Sequence, residues 1–305
     1  MKTQSAAARK QPKQIRNSHT VHENLQNSPG LLAYFQPHNG DYTVIMQLID
    51  IGVNLMSPAF ENDREVVLAA SREAGVFPLI ITGSSIESSA AALDFACAHP
   101  RECWATAGVH PHNAKTWNAQ AQAHLREMAA GRALAAIGEC GLDYNRNFSS
   151  PLAQRGCFED QLALAAELGK PVFLHERDAF DDFSAILKKY RPRLPGAVVH
   201  CFTGTLKELD AYLEMDCHIG ITGWICDERR GTHLIPLLKR IPPDRLLLET
   251  DAPYLIPRNL PHRPHRNEPR YLPHIAAFIA QALDKKAEQL AAGTYANSLR
   301  FFGLG

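Results

Sequence analysis

The stretch SPLAQRGCFEDQLALAAELGKP, residues 150–171, reads as one complete helix with a signal at each end. Ser150 is a good N-cap, and Pro151 suits the first helical position, where an N–H is not needed. Gly169 favours the position just after a last helical turn. The residues that follow, Pro171–His175, are short and apolar, as in a buried strand. The stretch therefore predicts a helix followed at once by a buried strand.

The same unit recurs along the chain from Met46 onward. Short segments rich in Val, Ile and Leu alternate with helical segments such as Pro58–Ala74 and Asp178–Tyr190. The predicted strands are Gln47–Val53, Val76–Thr82, Cys103–Val109, Leu134–Glu139, Pro171–His175, Ala197–Cys201, Cys217–Thr222 and Arg245–Thr250. This alternation fits a closed (β/α)8 barrel better than a doubly wound sheet, and no G-x-G-x-x-G follows the first strand. We therefore predict an α/β fold, a TIM barrel over residues 46–305.

Residues 1–45 differ from this body in composition. They are rich in Gln, Asn, Ser, Lys and Arg and show no sustained helical or strand periodicity. We expect this segment to be disordered. A transit peptide is a weaker interpretation because the segment is poor in Arg and lacks an apolar face, whereas a chain that starts at Met46, just before the first strand, is an equal alternative.

Composition excludes several classes of protein. No apolar run approaches the roughly 18 residues of a membrane span, and the N-terminus lacks the apolar core of a secretory signal, so we expect a cytoplasmic monomer with no membrane contact. Seven cysteines without a C-x-x-C pair indicate reduced thiols. With 32 basic and 32 acidic residues, the net charge is zero, so any contact with nucleic acid must come from local basic clusters.

Polar side chains collect at the carboxyl ends of the predicted strands. They are His110 and His112 after the third strand, Glu139 at the end of the fourth, His175 of the fifth, His200 of the sixth and Asp251 after the eighth. In a parallel barrel these ends converge on the face that carries active sites. Imidazoles and carboxylates together suit Zn²⁺, Mn²⁺ or Mg²⁺, and such an ion polarises a phosphoryl or carbonyl oxygen. The pattern predicts a metal-dependent hydrolase.

Each of these residues also has a plainer explanation. The chain has 14 histidines, and an isolated one is more often a surface or core residue than a ligand. The strand-end residues could be polar caps on the barrel rim, and Asp251 could cap a helix before Pro253. The acidic pair in LLLETDAPYL favours the metal site, because buried carboxylates need a cation or hydrogen-bond donors.

Six stretches resemble one known family, the TatD family of metal-dependent deoxyribonucleases, which are amidohydrolase-like barrels. They are AGVHPHNAKTW, AIGECGLDYNRNFS, PVFLHERDAF, VVHCFTGT, GITGWICDERRG and LLLETDAPYLIPRNL, in family order. The resemblance implies a divalent-metal site at Glu139, His175 and His200, with Asp251 as a further ligand or proton acceptor. It also implies 3′-to-5′ exonucleolytic hydrolysis of single-stranded DNA, and of RNA as a further substrate, with Mg²⁺ as the usual cofactor and Mn²⁺ or Zn²⁺ as alternatives.

The chain departs from most of this family at LIDIGVNL, residues 48–55. Most members carry H-x-H there, which supplies a second metal, whereas this chain has Gly52 and Asn54. We therefore expect one firmly held metal and a second recruited only with substrate. His110 is expected to take part in catalysis and to compensate partly, and Asn54 and His112 to contact substrate.

Arginines are the candidate phosphate contacts. Arg263 and Arg266 lie in the Pro-rich stretch PRNLPHRPHRNEPR, and Arg146 and Arg177 lie near predicted strand ends. Arg177 could instead pair with Asp178 or Glu176. Trp224 could stack on a base or be a buried aromatic. Two other functions stay open: a hydrolase of amides or aminoacyl esters on the same barrel, and a binding protein with a degenerate site.

Overall fold

The computed structural model describes residues 34–38 and 41–304, with side chains from Met46 onward. Tyr34–His38 and Asp41–Ile45 pair as an antiparallel hairpin, in register from Tyr34–Ile45 to His38–Asp41. Both strands lie in the segment expected to be disordered. The rest of that segment lies outside the described residues.

Eight parallel strands follow the hairpin. They are β1 (Leu48–Val53), β2 (Val76–Ile81), β3 (Cys103–Ala107), β4 (Leu134–Asp143), β5 (Val172–Arg177), β6 (Ala197–Val199), β7 (His218–Ile221) and β8 (Leu246–Leu248). They are hydrogen-bonded in chain order, and a parallel bridge between Val53 and Ala252 joins the last strand region to the first. Asp251 N donates to Gly52 O at 2.9 Å across the same seam. The predicted TIM barrel is confirmed.

Helices cover the outside of the barrel. They are α1 (Arg64–Glu73), α2 (Ile86–Ala98), α3 (Ala119–Met128), α4 (Pro151–Leu168), α5 (Phe180–Tyr190), α6 (Leu206–Glu214), α7 (Leu234–Leu238), α8 (Leu272–Ala282) and α9 (Ala287–Phe302). The opening stretch forms α4 as predicted: Ser150 Oγ accepts from Ala153 N, and Gly169 ends the helix at φ 62°. Short 3-10 turns include Pro58–Phe60, Pro111–Thr116 and Gly223–Cys226.

Two predicted boundaries are wrong in an informative way. The helix predicted over Pro58–Ala74 is a 3-10 turn followed by α1. The strand predicted to end at Glu139 continues as β4 to Asp143. Gly138 and Gly141 look like turn residues, but their φ angles of 137° and 146° let the strand continue past a register shift beside β5. The extension carries Asp143 to the catalytic face.

The core has two layers. Apolar residues such as Leu174, Leu209 and Ile275 pack between the strands and the helices. Inside the barrel, Ile49, Ile51, Ile80, Ala135, Ala136, Phe173, Val198 and Leu247 pack with Phe302 and Leu304 from the end of the chain. All seven cysteines are free thiols, as predicted. In the part that the structure describes, no helix combines the length and the apolar character that a membrane span needs.

Candidate active site

The carboxyl ends of the strands surround one cavity of about 720 Å³, within the size range of ligand pockets. It is lined by Asn54, Ser84, His110, His112, Asn113, Glu139, Asp143, Arg146, Phe148, His175, Glu176, Arg177, His200, Cys201, Thr203, Trp224, Arg230, Asp251, Tyr254 and Leu255. All six strand-end residues from the sequence lie here, and so do Asn54, Arg146 and Arg177. The barrel thus brings together residues that are up to 201 positions apart.

Glu139 lies at the centre of the cavity floor, and three imidazoles point at the same oxygen. Its Oε1 is 2.8 Å from His200 Nε2, 2.9 Å from His175 Nδ1 and 3.3 Å from His110 Nε2. Burial alone would raise the pKa of Glu139. The three imidazoles that face its carboxylate outweigh burial and hold that pKa well below its usual value. Glu139 is therefore an anion in the folded protein.

A second set of contacts holds the imidazoles from behind. Glu249 Oε2 lies 3.3 Å from His200 Nδ1, and Asp143 Oδ2 lies 3.6 Å from His175 Nε2 and 2.7 Å from His112 Nε2. Burial alone would lower the pKa of His200, but Glu139 and Glu249 raise it well above its usual value. Burial lowers the pKa of His110 to about 4. His110 is therefore neutral near pH 7.

Asp251 is the fourth polar group of the floor. Its Oδ1 accepts from Asn54 Nδ2 at 2.8 Å, so the side chain binds across the barrel seam and does not cap a helix. Burial raises the pKa of Asp251 to about 7; Glu139 and Glu249 add to this rise, while His200 and the Asn54 hydrogen bond oppose it. A carboxyl group with such a pKa can exchange a proton near neutrality.

Gly52 explains why the first strand carries no histidine pair. A Cβ atom at this position would lie 2.5 Å from Glu249 Oε2 and 3.0 Å from the Phe173 ring. The space that an imidazole would need is therefore taken by the carboxylate that supports His200. Asn54, the other position of the pair, is bonded to Asp251. Neither residue supplies an imidazole in this arrangement.

The donor set fits a divalent cation. Glu139 Oε1, His175 Nδ1 and His200 Nε2 lie within 3.4 Å of one another, and ligand atoms of His110, Glu139 and His175 all lie within 4.8 Å. Three converging lone pairs repel one another unless a cation or a proton lies between them, and His175 Nε2 has no hydrogen-bond partner within the described residues. Two nitrogens and a carboxylate oxygen suit Zn²⁺ or Mn²⁺ and allow Mg²⁺.

Comparison with known proteins agrees with this geometry. The family model described as TatD related DNase matches residues 49–303. The chain belongs to this family. A TatD protein of Edwardsiella piscicida named 3′-5′ ssDNA/RNA exonuclease is 53% identical over 259 residues, which cover 84% of this chain and 100% of that protein. The TatD protein of Pantoea ananatis with the same name is 52% identical over the same coverage.

Solved TatD structures share the barrel. The TatD homologue YJJV of Escherichia coli k12 is 27% identical, covers 85% of this chain and 99% of its own, and superposes with a TM-score of 0.76. A TatD family hydrolase of Entamoeba histolytica superposes with a TM-score of 0.77 at 24% identity, covering 86% of this chain and 100% of its own, which shows the fold alone. The predicted family and the amidohydrolase-like fold are therefore confirmed.

Arginines and exposed aromatic rings form the rim of the TatD cavity. Arg146 and Arg177 are exposed and make no salt bridge within the described residues. The carboxylates suggested as partners of Arg177 are bonded elsewhere: Glu176 to Ala179 N and Tyr212, and Asp178 to Asn145. On the other side, the Arg230 guanidinium stacks 4.1 Å from the Trp224 ring.

Phe148 and Tyr254 are the exposed aromatics of the rim, with 58% and 57% of their surface open to solvent. The Phe148 ring lies 4.8 Å from the His112 ring. Exposed aromatic rings beside arginines are the usual surface for stacking single-stranded bases. The sequence suggested Trp224 as a residue that could stack on a base. Phe148 and Tyr254 are further aromatic rings on the same rim.

Arg263 and Arg266 do not line the cavity. Arg266 lies over the Phe60 ring at 4.5 Å and forms ion pairs with Asp63 and Glu268, so its guanidinium holds the loop after β8 against α1. Arg263 is exposed on that loop. Asp143, Glu249, Arg230, Phe148 and Tyr254 were given no role from the sequence. The acidic pair in LLLETDAPYL could have pointed to Glu249. Asp143 could have been found only by extending the fourth strand past Glu139.

Proposed function

We propose that this protein is a divalent-metal-dependent 3′-to-5′ exonuclease that hydrolyses phosphodiester bonds of single-stranded DNA and RNA. The observation that carries the proposal is the convergence of Glu139 Oε1, His175 Nδ1 and His200 Nε2 below a rim of arginines and aromatic rings. The names of the TatD relatives support the polymer and the direction.

In this proposal Glu139, His175 and His200 hold the metal, with Asp251 as a further ligand or proton acceptor. The bound ion supplies Lewis-acid polarisation of a phosphoryl oxygen and lowers the pKa of water. Asp251 takes the proton of the attacking water, because its pKa is raised into the neutral range and its Oδ1 is oriented by Asn54. The water oxygen joins phosphorus as the phosphodiester oxygen leaves.

Substrate binding is assigned to the rim. Arg146 and Arg177 are free to contact phosphates on one side. On the other side Arg230, held by an ion pair with Asp227 and stacked on Trp224, also lines the cavity. Phe148 and Tyr254 provide stacking surfaces, which are open only to bases that are not paired. His112, fixed by Asp143, lies beside Phe148 and faces the same space. Mg²⁺ as the usual ion, a monomeric state and a cytoplasmic site of action belong to the proposal as predictions.

The test uses metal-stripped protein and one sequence prepared as single-stranded DNA, single-stranded RNA and duplex DNA, each labelled at the 5′ or the 3′ end. Mg²⁺, Mn²⁺ and Zn²⁺ are titrated separately. We expect 5′-labelled single strands to shorten in a ladder and 3′-labelled strands to release the label at once. Glu139→Gln serves as the inactive control. Cleavage that begins at the 5′ end, or no cleavage with any of the three ions, would reject the proposal.

A further inference from the structure

The three imidazoles around Glu139 differ in what lies behind them. A neutral imidazole has one N–H and one lone pair, so the partner of one ring nitrogen decides what the other can do. A metal-binding nitrogen must offer its lone pair, and its ring then usually donates the N–H of the other nitrogen to an acceptor. The partners of His110, His175 and His200 can therefore be compared directly.

His175 and His200 have acceptors behind them. His200 Nδ1 faces Glu249 Oε2 at 3.3 Å, and His175 Nε2 faces Asp143 Oδ2 at 3.6 Å. A carboxylate can only accept, so each one favours the N–H on the ring nitrogen nearest to it. When an incoming cation displaces the proton between each ring and Glu139, the lone pairs are on His200 Nε2 and His175 Nδ1, the two atoms that face Glu139 Oε1. Both rings are set to bind a cation.

His110 has a donor behind it. The backbone N–H of His112 donates to His110 Nδ1 at 3.0 Å, and Pro111 starts the 3-10 turn that fixes this geometry. A backbone amide can only donate, so Nδ1 must hold the lone pair and the proton must be on Nε2. His110 Nε2 is the atom that faces Glu139 Oε1 at 3.3 Å. The ring thus points an N–H, and no lone pair, into the cavity.

The loop leaves His110 little freedom to turn over. Its own N–H donates to Ser84 O at 3.0 Å, and Asn113 N donates to His110 O at 2.8 Å. The ring packs edge-on against His112 at 4.2 Å and His175 at 4.5 Å, and the residue is 8% exposed. A change of tautomer would place two N–H groups opposite each other at Nδ1.

We propose that His110, although its ligand atom lies within 4.8 Å of those of Glu139 and His175, is not a metal ligand but a fixed Nε2–H donor to an oxygen of the scissile phosphate. The inference rests on the proposed phosphodiester hydrolysis and assigns a further catalytic residue to it. A preorganised donor of this kind stabilises the charge that develops on phosphoryl oxygens in the transition state, and removing one such donor lowers kcat by about 100- to 1,000-fold.

The first test reads the tautomer directly. Long-range ¹H–¹⁵N correlation spectra of the full chain labelled with ¹⁵N-histidine distinguish Nε2–H from Nδ1–H rings, and His110→Gln identifies the signal. We expect His110 to be an Nε2–H ring both before and after Zn²⁺ is added, with the metal-induced shifts confined to His175 and His200. An Nδ1–H ring at His110 in the zinc-loaded protein would overturn the proposal.

The second test separates metal binding from cleavage. Mn²⁺ affinity and single-turnover cleavage of single-stranded DNA are measured for His110→Gln, His110→Leu and, as matched variants, His175→Leu and His200→Leu. Both His110 variants should keep Mn²⁺ affinity within about threefold of the parent. Cleavage by His110→Leu should fall about 100-fold or more at saturating metal, with partial rescue in His110→Gln, whose amide restores an N–H near the Nε2 position.

His175→Leu and His200→Leu should lose Mn²⁺ affinity by more than about 100-fold. If His110→Leu loses as much Mn²⁺ affinity as they do, His110 is a ligand and the proposal is wrong. If the parent binds Mn²⁺ but cleaves no single strand, the exonuclease assignment is wrong, and so is the proposed contact between His110 and the phosphate. The tautomer spectrum then still decides whether His110 is a metal ligand.

Discussion

The floor of the cavity has two sides that are built differently. The imidazole side consists of His110, Glu139, His175 and His200, from the ends of β3 to β6. The amide side consists of Gly52, Asn54, Glu249 and Asp251, from the ends of β1 and β8. On the imidazole side, Glu139 Oε1, His175 Nδ1 and His200 Nε2 converge on one point. On the amide side, Asn54 is bonded to Asp251, and Glu249 accepts from Cys201 N and supports His200.

The difference shows that losing a histidine pair does not leave a hole. Glu249 occupies the space beside Gly52, and its carboxylate serves a ligand of the other side. The amide side therefore supports the imidazole side through Glu249 and supplies a proton acceptor in Asp251. This is the physical reason to expect one firmly held metal. Variants of the two sides should consequently fail in different ways.

The largest expected effect is on the imidazole side. Glu139→Gln removes the anion on which three imidazoles converge, so Mn²⁺ affinity and cleavage should fall together, each by about 1,000-fold or more. Glu127→Gln, the same change on exposed α3, should match the parent. Isothermal titration with Mn²⁺ and single-turnover cleavage measure the two quantities. Retained metal affinity in Glu139→Gln would mean that the ion is held elsewhere.

On the amide side, Asp251→Asn should separate the two losses. The amide can still accept from Asn54 and still offer an oxygen, but it takes no proton at neutral pH. Cleavage should fall by about 100- to 1,000-fold, while metal affinity falls by about 10-fold at most. Equal losses of metal and rate would make Asp251 an ordinary ligand and would remove the main functional difference between the sides.

The rims above the two sides should also differ. Arg146→Ala with Arg177→Ala removes two unpaired guanidiniums above the imidazole side, so KM for single-stranded DNA should rise about 10-fold and its dependence on salt should weaken. Arg263→Ala, on the loop after β8, is the matched control and should change neither. Steady-state kinetics between low and moderate salt check this. A larger effect from Arg263 would place the polymer across that loop.

Gly52→Ala is a direct test of the packed space between the sides. The new methyl group would force Glu249 away from His200, which should lower the free energy of unfolding by about 1–3 kcal/mol and metal affinity by about 10-fold. Gly293→Ala in α9, with no atom within 4 Å of its added Cβ, should instead be neutral or slightly stabilising. Urea denaturation and Mn²⁺ titration would show whether the carboxylate is as fixed as the geometry implies.

The smallest effect on catalysis is expected at Asp50, below the amide side. Its carboxyl accepts from Thr250 and Gly52, and burial raises its pKa to about 8 against those hydrogen bonds. In the unfolded chain the same carboxyl ionises near pH 4. Folding therefore takes up a proton between about pH 4 and 8, and the free energy of unfolding falls as pH rises, by at most about 1.4 kcal/mol per pH unit.

Asp50→Asn has no such proton to take up, and its amide oxygen can still accept from Thr250 N as the carboxyl does. We expect the variant to be close to the parent at pH 5 and more stable than the parent at pH 8. Urea denaturation at both values, with cleavage as a check on the site, is the measurement. If the difference in stability between the variant and the parent is the same at pH 5 and pH 8, Asp50 is ionised in the folded protein.

Strand positions and strand-end residues could be predicted because both are local properties of the sequence. Short apolar runs predicted β1 to β8 to within a few residues, and the largest difference is at β4, which continues past Glu139 to Asp143. The supporting contacts could not be predicted. Asp143 meets His175, and Glu249 meets His200, across 32 and 49 positions, and whether an imidazole offers a lone pair or an N–H depends on those partners. The prediction that Arg266 contacts phosphate was wrong for the same reason, because its partner Asp63 is 203 positions away in the sequence.

Phe302 and Leu304, which fill the amino end of the barrel, have a consequence for how a polymer can use this protein. A strand cannot thread through to the far side, so a strand that reaches the floor enters and leaves by the same mouth. Each nucleotide that is cut must leave by the mouth through which the strand came in. Removal of product and advance of the strand are then consecutive events, and free nucleotide in solution should compete with the polymer for that mouth.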